Sequence, residues 1–182
     1  MITDPQEIIG FWFEERVRKH WWRRDSLLDR EIHRRFFSLH RRARSGLLAA
    51  WRSTPQGRLA EIIVLDQFSR NLFRDSAEAF AQDKLARKLT YDALAANADQ
   101  SLEPGQRSFL YMPLMHSESL ADHEKAVQLY SSHADLSHSL EFELKHKAII
   151  DRFGRYPHRN ATLGRNSTAE ELEFLQQPGF AF

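Results

Sequence analysis

The stretch PQGRLAEIIVLDQFSRNLF, residues 55–73, predicts a helix that runs through the core of the protein. At 100° per residue, Leu59, Ile62 and Ile63 fall in one sector, whereas Phe68 falls on the opposite side. A helix that is apolar on two sides is normally buried among other helices. This segment therefore indicates a helical fold with one central helix.

Charged side chains lie inside this apolar pattern. Asp66 and Arg70 fall in the first apolar sector, and Gln67 lies beside it. Because an unpaired buried charge is strongly unfavourable, both charges need partners. The step of four residues lets Asp66 and Arg70 pair, but a guanidinium has more donors than one carboxylate fills. The pattern fits either a buried polar network or the wall of a ligand pocket.

The rest of the chain also favours helices. Capping boxes are predicted at Asp75 with Glu78 and at Thr168 with Glu171. No alternating strand pattern of useful length occurs, so we predict an all-α fold, an antiparallel helical array forming a single domain over residues 1–182. Pro113 predicts irregular or short helical turns in its neighbourhood. Further long helices are expected at 28–45, 76–97, 119–132 and 138–153, and the apolar tail 178–182 is expected to pack down.

Composition excludes several classes of protein and site. The chain has no cysteine, which rules out disulfides and thiolate chemistry. We expect no metal and no cofactor, since no His-Glu-x-x-His, Asp-rich loop or glycine-rich phosphate loop occurs. A metal site using Asp66, His116, Glu118 and His158 as ligands remains a weak alternative. No signal peptide or membrane span is recognisable, so we predict a cytoplasmic protein.

Basic residues are concentrated near the N-terminus. Residues 16–44 contain eleven Arg or Lys against three Asp or Glu, whereas the whole chain has a net charge of +1. Such a stretch can attract nucleic acid, but charge runs usually mark solvated faces, and the overall charge argues against a nucleic-acid partner. We interpret it as an exposed helix face.

Two further segments carry residues suited to binding or catalysis. LMHSE contributes His116 and Glu118 just after the Pro113 break. Arginine forks suit carboxylates and phosphates, and histidine suits proton transfer near neutral pH. An arginine-rich loop can equally cap a helix C-terminus. This arginine-rich loop is the segment FGRYPHRNATLGR, which contributes Arg155, His158, Arg159, Asn160 and Arg165.

Taken together, LDQFSRNLFR, FLYMPLMHSE and FGRYPHRNATLGR resemble the signature blocks of an uncharacterised bacterial family, domain of unknown function 924. The resemblance covers nearly the whole chain. It implies an all-helical, tetratricopeptide-like fold, or α-α superhelix, and it supplies no activity, substrate or catalytic residue. The pattern usually has proline where this chain has Ser69 and Ala169. The motif positions that carry over are Asp66, Gln67, Arg70, His116, Glu118, Arg155, His158, Arg159 and Arg165.

These residues predict a composite polar pocket, for which two functions are open. The first is binding of a small anionic ligand or a peptide carboxylate, because arginines outnumber the groups able to do chemistry. The second is hydrolase-type acid-base catalysis, with Asp66 orienting His116 or His158 and Ser117 as a candidate nucleophile. The oligomeric state and the ligand's identity are not specified by the sequence.

Overall fold

The computed structural model describes residues 4–177, and over that range the fold is all helical. The predicted helical array is confirmed, whereas the tetratricopeptide-like superhelix and the single domain over 1–182 stay predictions. No helix within 4–177 is long and apolar enough to cross a membrane. The packing predicted for residues 178–182 lies outside the described range. The α-helices are α1 Pro5–Trp12, α2 Glu15–Arg18, α3 Ser26–Arg44, α4 Pro55–Leu72, α5 Asp83–Ala95, α6 Pro104–Met115, α7 Leu120–Ser131, α8 Ser137–Phe153 and α9 Ala169–Leu175.

The central helix of the array is α4, as its two apolar sides predict. Thr54 caps it, since the hydroxyl accepts a hydrogen bond of 3.0 Å from the Gly57 amide, and Pro55 occupies the first turn. Leu59 and Phe68, which lie on opposite sides of α4, are both fully buried. Helices α1, α3, α5 and α6 all pack against α4. The polar side chains in the middle of α4, including Glu61 and Asp66, are therefore buried among neighbouring helices.

The segment 76–97 is not the single long helix that its composition predicts. A short 3₁₀ helix, Ala77–Phe80, precedes α5. The predicted cap at Asp75 is wrong, because Ser76 accepts the hydrogen bond of 3.2 Å from the Glu78 amide. Asp75 has a φ of +60°, which turns the chain after α4, so Ser76 is the residue with the extended backbone that an N-cap needs.

Pro113 does not interrupt α6, which runs from Pro104 to Met115. The irregular turns predicted there are therefore wrong. A proline removes one backbone donor and crowds the preceding turn, which is costly in the middle of a helix. Here α6 ends two residues later, so only its last turn is affected. As a result, α6 presents a continuous face to its neighbours from Ser108 to its C-terminal end.

The basic stretch 16–44 is partly neutralised by acids on neighbouring elements. Arg16 donates two hydrogen bonds, of 2.8 and 3.0 Å, to Glu31. Arg35 also bonds to Glu31, at 3.1 Å, and reaches Glu7 at 3.1 Å. These pairs fit the interpretation of the stretch as a solvated helix face.

Gly57 is required by a close approach of two backbone segments. A Cβ at this position would lie 1.9 Å from the carbonyl oxygen of Trp51. We expect Gly57→Ala to lower the free energy of unfolding by about 1–3 kcal/mol, as overpacking does. Gly10→Ala is the matched control, because no atom lies within 4 Å of its Cβ position, and it should raise stability by about 0.5–1 kcal/mol. Urea denaturation measures both, and equal effects would contradict the clash.

His40 predicts a pH-dependent loss of stability. Its Nε2 lies 2.8 Å from the Ser69 hydroxyl, which itself donates to the Leu65 carbonyl, so Nε2 carries the proton. The buried Nδ1 has no hydrogen-bond partner in the described part of the chain, and burial lowers the pKa of His40 to about 4. The unfolded chain then binds a proton more readily than the folded one. The contribution of His40 is therefore present above pH ~6.5 and lost as the pH falls towards 4.

Urea denaturation at pH 7, 5.5 and 4.5 checks this expectation. The free energy of unfolding should fall less steeply with acidification in His40→Gln than in the unsubstituted protein, since the amide does not titrate. His33→Gln is the control, because His33 is exposed on the same helix. Identical pH profiles for all three proteins would rule out His40 as the source.

Candidate functional site

Asp66 is a buried carboxylate in the middle of α4, with 1% of its surface exposed. Its Oδ1 lies 2.8 Å from His116 Nδ1 and 3.2 Å from Arg70 Nη1. Its Oδ2 accepts a hydrogen bond of 2.6 Å from Gln67. Burial alone would raise the pKa of Asp66, but the charge of Arg70 and the contact with His116 outweigh it and lower the pKa below its usual value. Asp66 is therefore an anion that binds three predicted site residues.

Arg70 connects α4 to the start of α5. Besides its contact with Asp66, it donates to the two oxygens of Asp83 at 3.1 and 3.2 Å. Burial would lower the pKa of Arg70, but Asp66 and Asp83 together raise it. The guanidinium presents its N–H donors as a fork, so donors that do not bind Asp66 can bind the two oxygens of Asp83. Arg70 is therefore held by two carboxylates.

Arg159 reaches the same cluster from the distant C-terminal segment. Its Nη1 donates to Asp83 Oδ2 at 3.2 Å, so Asp83 is shared between two arginines. The guanidinium carbon lies 4.6 Å from the ring centres of both Phe80 and Tyr156. Arg159 is 6% exposed, and its buried Nε has no hydrogen-bond partner within residues 4–177. Burial lowers the pKa of Arg159, against the opposing effect of Asp83.

These side chains border a cavity of about 840 Å³. Arg70 and Arg159 line it, whereas the carboxylates that bind these two arginines, Asp66 and Asp83, do not. Of the other lining arginines, Arg74 is paired with Asp29 and Arg24 with Asp75, which also lines the cavity. Its wall also contains aromatic and methionine side chains. The residues that line it include Trp21, Trp22, Arg23, Arg24, Gln67, Arg70, Arg74, Asp75, Phe80, Ser108, Met112, Met115, His116, His138, Ser139, Phe142, His146, Tyr156, His158 and Arg159.

Burial favours the neutral form of three histidines that line the cavity, His116, His146 and His158. Burial lowers the pKa of His146 to about 3 and that of His158 to about 4. Burial and the charge of Arg70 also lower the pKa of His116, against the opposing effect of Asp66. Since the Asp66 carboxylate can only accept, His116 must donate through Nδ1, which leaves Nε2 as an unprotonated acceptor. His116 thus has the tautomer that a general base requires.

The segment around Arg165 forms a clamp rather than a wall of the cavity. Arg165 donates two hydrogen bonds, of 2.7 and 2.9 Å, to Glu118, and it donates a third, of 3.2 Å, to the Tyr156 carbonyl. Glu118 in turn accepts from the Tyr156 amide at 2.8 Å. Both backbone groups of Tyr156 are therefore bound by one ion pair, which positions the neighbouring His158 and Arg159.

A second clamp attaches the same segment to α9. Arg155 donates to the two oxygens of Glu171 at 2.6 and 2.8 Å. Glu171 also completes the predicted capping box with Thr168, which is confirmed. Asn160 adds a hydrogen bond of 3.2 Å to the same carboxylate. Glu171 thus joins the helix cap to the loop.

The structure therefore separates the predicted site residues into two groups. Asp66, which does not line the cavity, contacts three members of the cavity group, Gln67, Arg70 and His116. The residues in the clamps are bound to one another or to Glu171, and they are not among the described residues that line the cavity. Those that line the cavity are Gln67, Arg70, His116, His158 and Arg159, and those engaged in clamps are Glu118, Arg155 and Arg165.

Sequence reasoning missed Asp83 and the aromatic wall. Asp83 is an acid in the first turn of a helix, where acids are common, so nothing in its local sequence distinguishes it. Phe80 and Tyr156 cannot be distinguished in the sequence from aromatic residues of the core. No group of three or more His, Asp or Glu side chains within residues 4–177 is arranged to hold a metal ion.

Comparison with known proteins supports a family assignment. The structure of a protein of unknown function, ATU0120 from Agrobacterium tumefaciens, superimposes with a TM-score of 0.89 at 34% sequence identity, covering 94% of this chain and 96% of that one. No curated protein matches the chain. The family model described as a bacterial protein of unknown function, DUF924, matches residues 8–179. The chain therefore belongs to the bacterial DUF924 family.

Proposed function

We propose that the cavity binds a small anionic ligand or a peptide carboxylate, with Arg159 as its anchor. The observation that carries this proposal is the Arg159 guanidinium, which is nearly buried, lines the cavity and makes a single side-chain hydrogen bond within residues 4–177, to Asp83. An anion that binds the part of this guanidinium that lines the cavity would offset part of the cost of burying its charge.

The distribution of charge around the cavity favours an anion. Five arginines line the described cavity wall, Arg23, Arg24, Arg70, Arg74 and Arg159, and the carboxylate among the lining residues is Asp75. Asp75 is itself bound by Arg24. Asp66 and Asp83 balance the charge of Arg70 and Arg159 from behind, which makes burial of the arginines tolerable while their outer edges stay available.

Titration with inorganic phosphate and with acetate, followed by calorimetry, tests the anchor. Arg159→Gln should weaken anion binding by roughly 10- to 100-fold, because one charge-assisted hydrogen-bonding group contributes about 1.5–3 kcal/mol. Arg159→Lys should restore part of the affinity through its charge, although it lacks the fork.

The matched control is Arg155→Gln, because Arg155 is bound to Glu171 and does not line the cavity. It should leave anion affinity unchanged, and urea denaturation of each variant separates lost binding from lost folding. Equal anion affinity in Arg159→Gln and the unsubstituted protein would contradict the proposal.

A second function, hydrolysis, is favoured by the geometry of His116. Asp66 holds its Nδ1 at 2.8 Å, and Nε2 has no hydrogen-bond partner within residues 4–177. A pair of this kind can activate a water molecule as general base, and Arg70 and Arg159 could stabilise the developing oxyanion. Ser117 is not available as nucleophile, since its hydroxyl donates to Asp122 at 2.5 Å and accepts from Arg87 at 3.0 Å.

Hydrolysis of a panel of carboxylic and phosphoric esters tests this second function. If His116 is the base, His116→Gln should lower kcat by about 10²- to 10⁴-fold. Because the pKa of His116 is lowered, the neutral base persists below pH 6.5, so the rate should be largely maintained from pH 7 to 6.

His33→Gln is the control here, because an exposed histidine can also hydrolyse activated esters without any site. A rate that His33→Gln lowers and His116→Gln does not would assign turnover to the surface. Absence of turnover across the panel would leave the His116–Asp66 pair with a structural role.

A further inference from the structure

We propose that the ligand is an amphiphilic carboxylate, with its anionic end at Arg159 and an apolar body lying along α6 towards Trp22 and Phe142. The inference rests on the proposed anion binding and extends it to the class of molecule. It follows from the size of the cavity, from the order of residues along α6 and from the exposure of two aromatic side chains.

The volume of the cavity exceeds what a simple anion needs. At about 840 Å³ it lies in the upper part of the range of roughly 300–1,000 Å³ found for sites of drug-sized ligands. A single water molecule takes a share of about 30 Å³, and phosphate or acetate comprises only a few heavy atoms. Most of the space would then remain as water against apolar side chains.

One face of α6 extends from a charged end to an aromatic end of the cavity. Ser108, Met112 and Met115 all line it at helical spacing, and His116 follows at the helix C-terminus. With a rise of 1.5 Å per residue, the distance from Ser108 to His116 along the axis is about 12 Å. His116 contacts Asp66 and so marks the charged end.

The aromatic end is built around Ser108. Its hydroxyl hydrogen-bonds Ser139 of α8 at 2.8 Å, which places the first turns of α8, including Phe142, beside α6. The next residue, Phe109, packs against Trp21 at 4.5 Å and stacks against Trp22 at 5.9 Å between ring centres. Trp22 and Phe142 therefore approach the same end of α6 from two sides.

The middle and the aromatic end of this wall are apolar, and part of it is uncovered. Trp22 is 70% exposed and Phe142 is 38% exposed, although both line the cavity. Met112 and Met115, whose flexible side chains adapt to varied apolar shapes, lie along α6 between Ser108 and His116, while Arg23 and Arg24 line the cavity beside Trp22. An apolar body of about 10–12 Å would cover these side chains while its carboxylate reaches the arginines.

A homologous series of acids tests the inference. Acetate, butyrate, hexanoate and octanoate, used below their aggregation concentrations, are titrated into the full chain by calorimetry. Affinity should rise about fourfold per methylene, the ratio that corresponds to about 0.8 kcal/mol for each buried CH₂. Arg159→Gln should weaken the binding of every member of the series.

Substitutions at the exposed aromatic residues test the position of the apolar body. The double variant Trp22→Ser, Phe142→Ser should flatten the dependence on chain length and leave acetate affinity unchanged. Leu144→Ser is the matched control, because Leu144 is 49% exposed on α8 and does not line the cavity, and it should retain the full dependence. Since all three residues are exposed, these variants should fold normally, which urea denaturation verifies.

The outcomes separate this inference from the proposed function. If acetate or phosphate binds through Arg159 but longer acids gain nothing, the amphiphilic ligand is overturned and anion binding stands. If longer acids gain affinity equally in the double variant, the apolar body lies elsewhere and the inference is overturned. If no acid and no phosphate binds, both proposals fail.

Discussion

The carboxylate of Asp83 joins two of the segments that line the cavity, α4 and the segment around Arg159. It accepts hydrogen bonds from Arg70 of α4 and from Arg159, which lie far apart in the sequence. Without a shared acceptor, two guanidinium groups brought to one site would repel each other in a medium of low polarity. Asp83 therefore makes it tolerable for an arginine from the C-terminal segment to approach the charged face of the central helix.

Stability alone is a poor reason for this arrangement. Buried ion pairs are often no more favourable than apolar side chains of similar volume, whereas removing one partner is strongly destabilising. The network of Asp66, Arg70, Asp83 and Arg159 moreover leaves the buried Nε of Arg159 without a hydrogen-bond partner within residues 4–177. An apolar contact between α4 and α5 would have avoided that deficit. These features are the basis of the proposal that this side of α4 is the wall of a binding site.

The clamps outside the cavity give the site its rigidity. The Arg165–Glu118 pair holds both backbone groups of Tyr156, and Arg155 attaches the same segment to the cap of α9. A binding residue on a loop is positioned well only when the surrounding side chains restrict that loop. Of the three arginines in this segment, Arg155 and Arg165 hold the loop through ion pairs, whereas Arg159 lines the cavity. Along α6 the side of the helix that lines the cavity begins at Ser108, beside aromatic residues, and ends at His116, beside the charged residues.

The local parts of this structure could be predicted from the sequence. The burial of α4 follows from apolar residues on both of its sides, and the Asp66–Arg70 contact follows from a spacing of four residues on one helix. The need for further partners follows from the number of donors on a guanidinium. The junction near Asp75 and the continuity of α6 through Pro113 could not be predicted, because each depends on backbone geometry that neighbouring elements impose.

Tertiary structure alone decided which partners meet. In the sequence, Arg155, Arg159 and Arg165 are equivalent arginines of one loop, and Asp83 is an acid inside the predicted helix 76–97. Folding places Glu171 and Glu118 beside two of these arginines and leaves the third facing Asp83 and the cavity. Ion-pair partners are chosen by proximity in space, because electrostatic attraction between unit charges depends on distance and burial and not on separation along the chain. The sequence thus determined that α4 must be buried and its charges paired, while the packing of distant segments determined which of the three arginines lines the cavity.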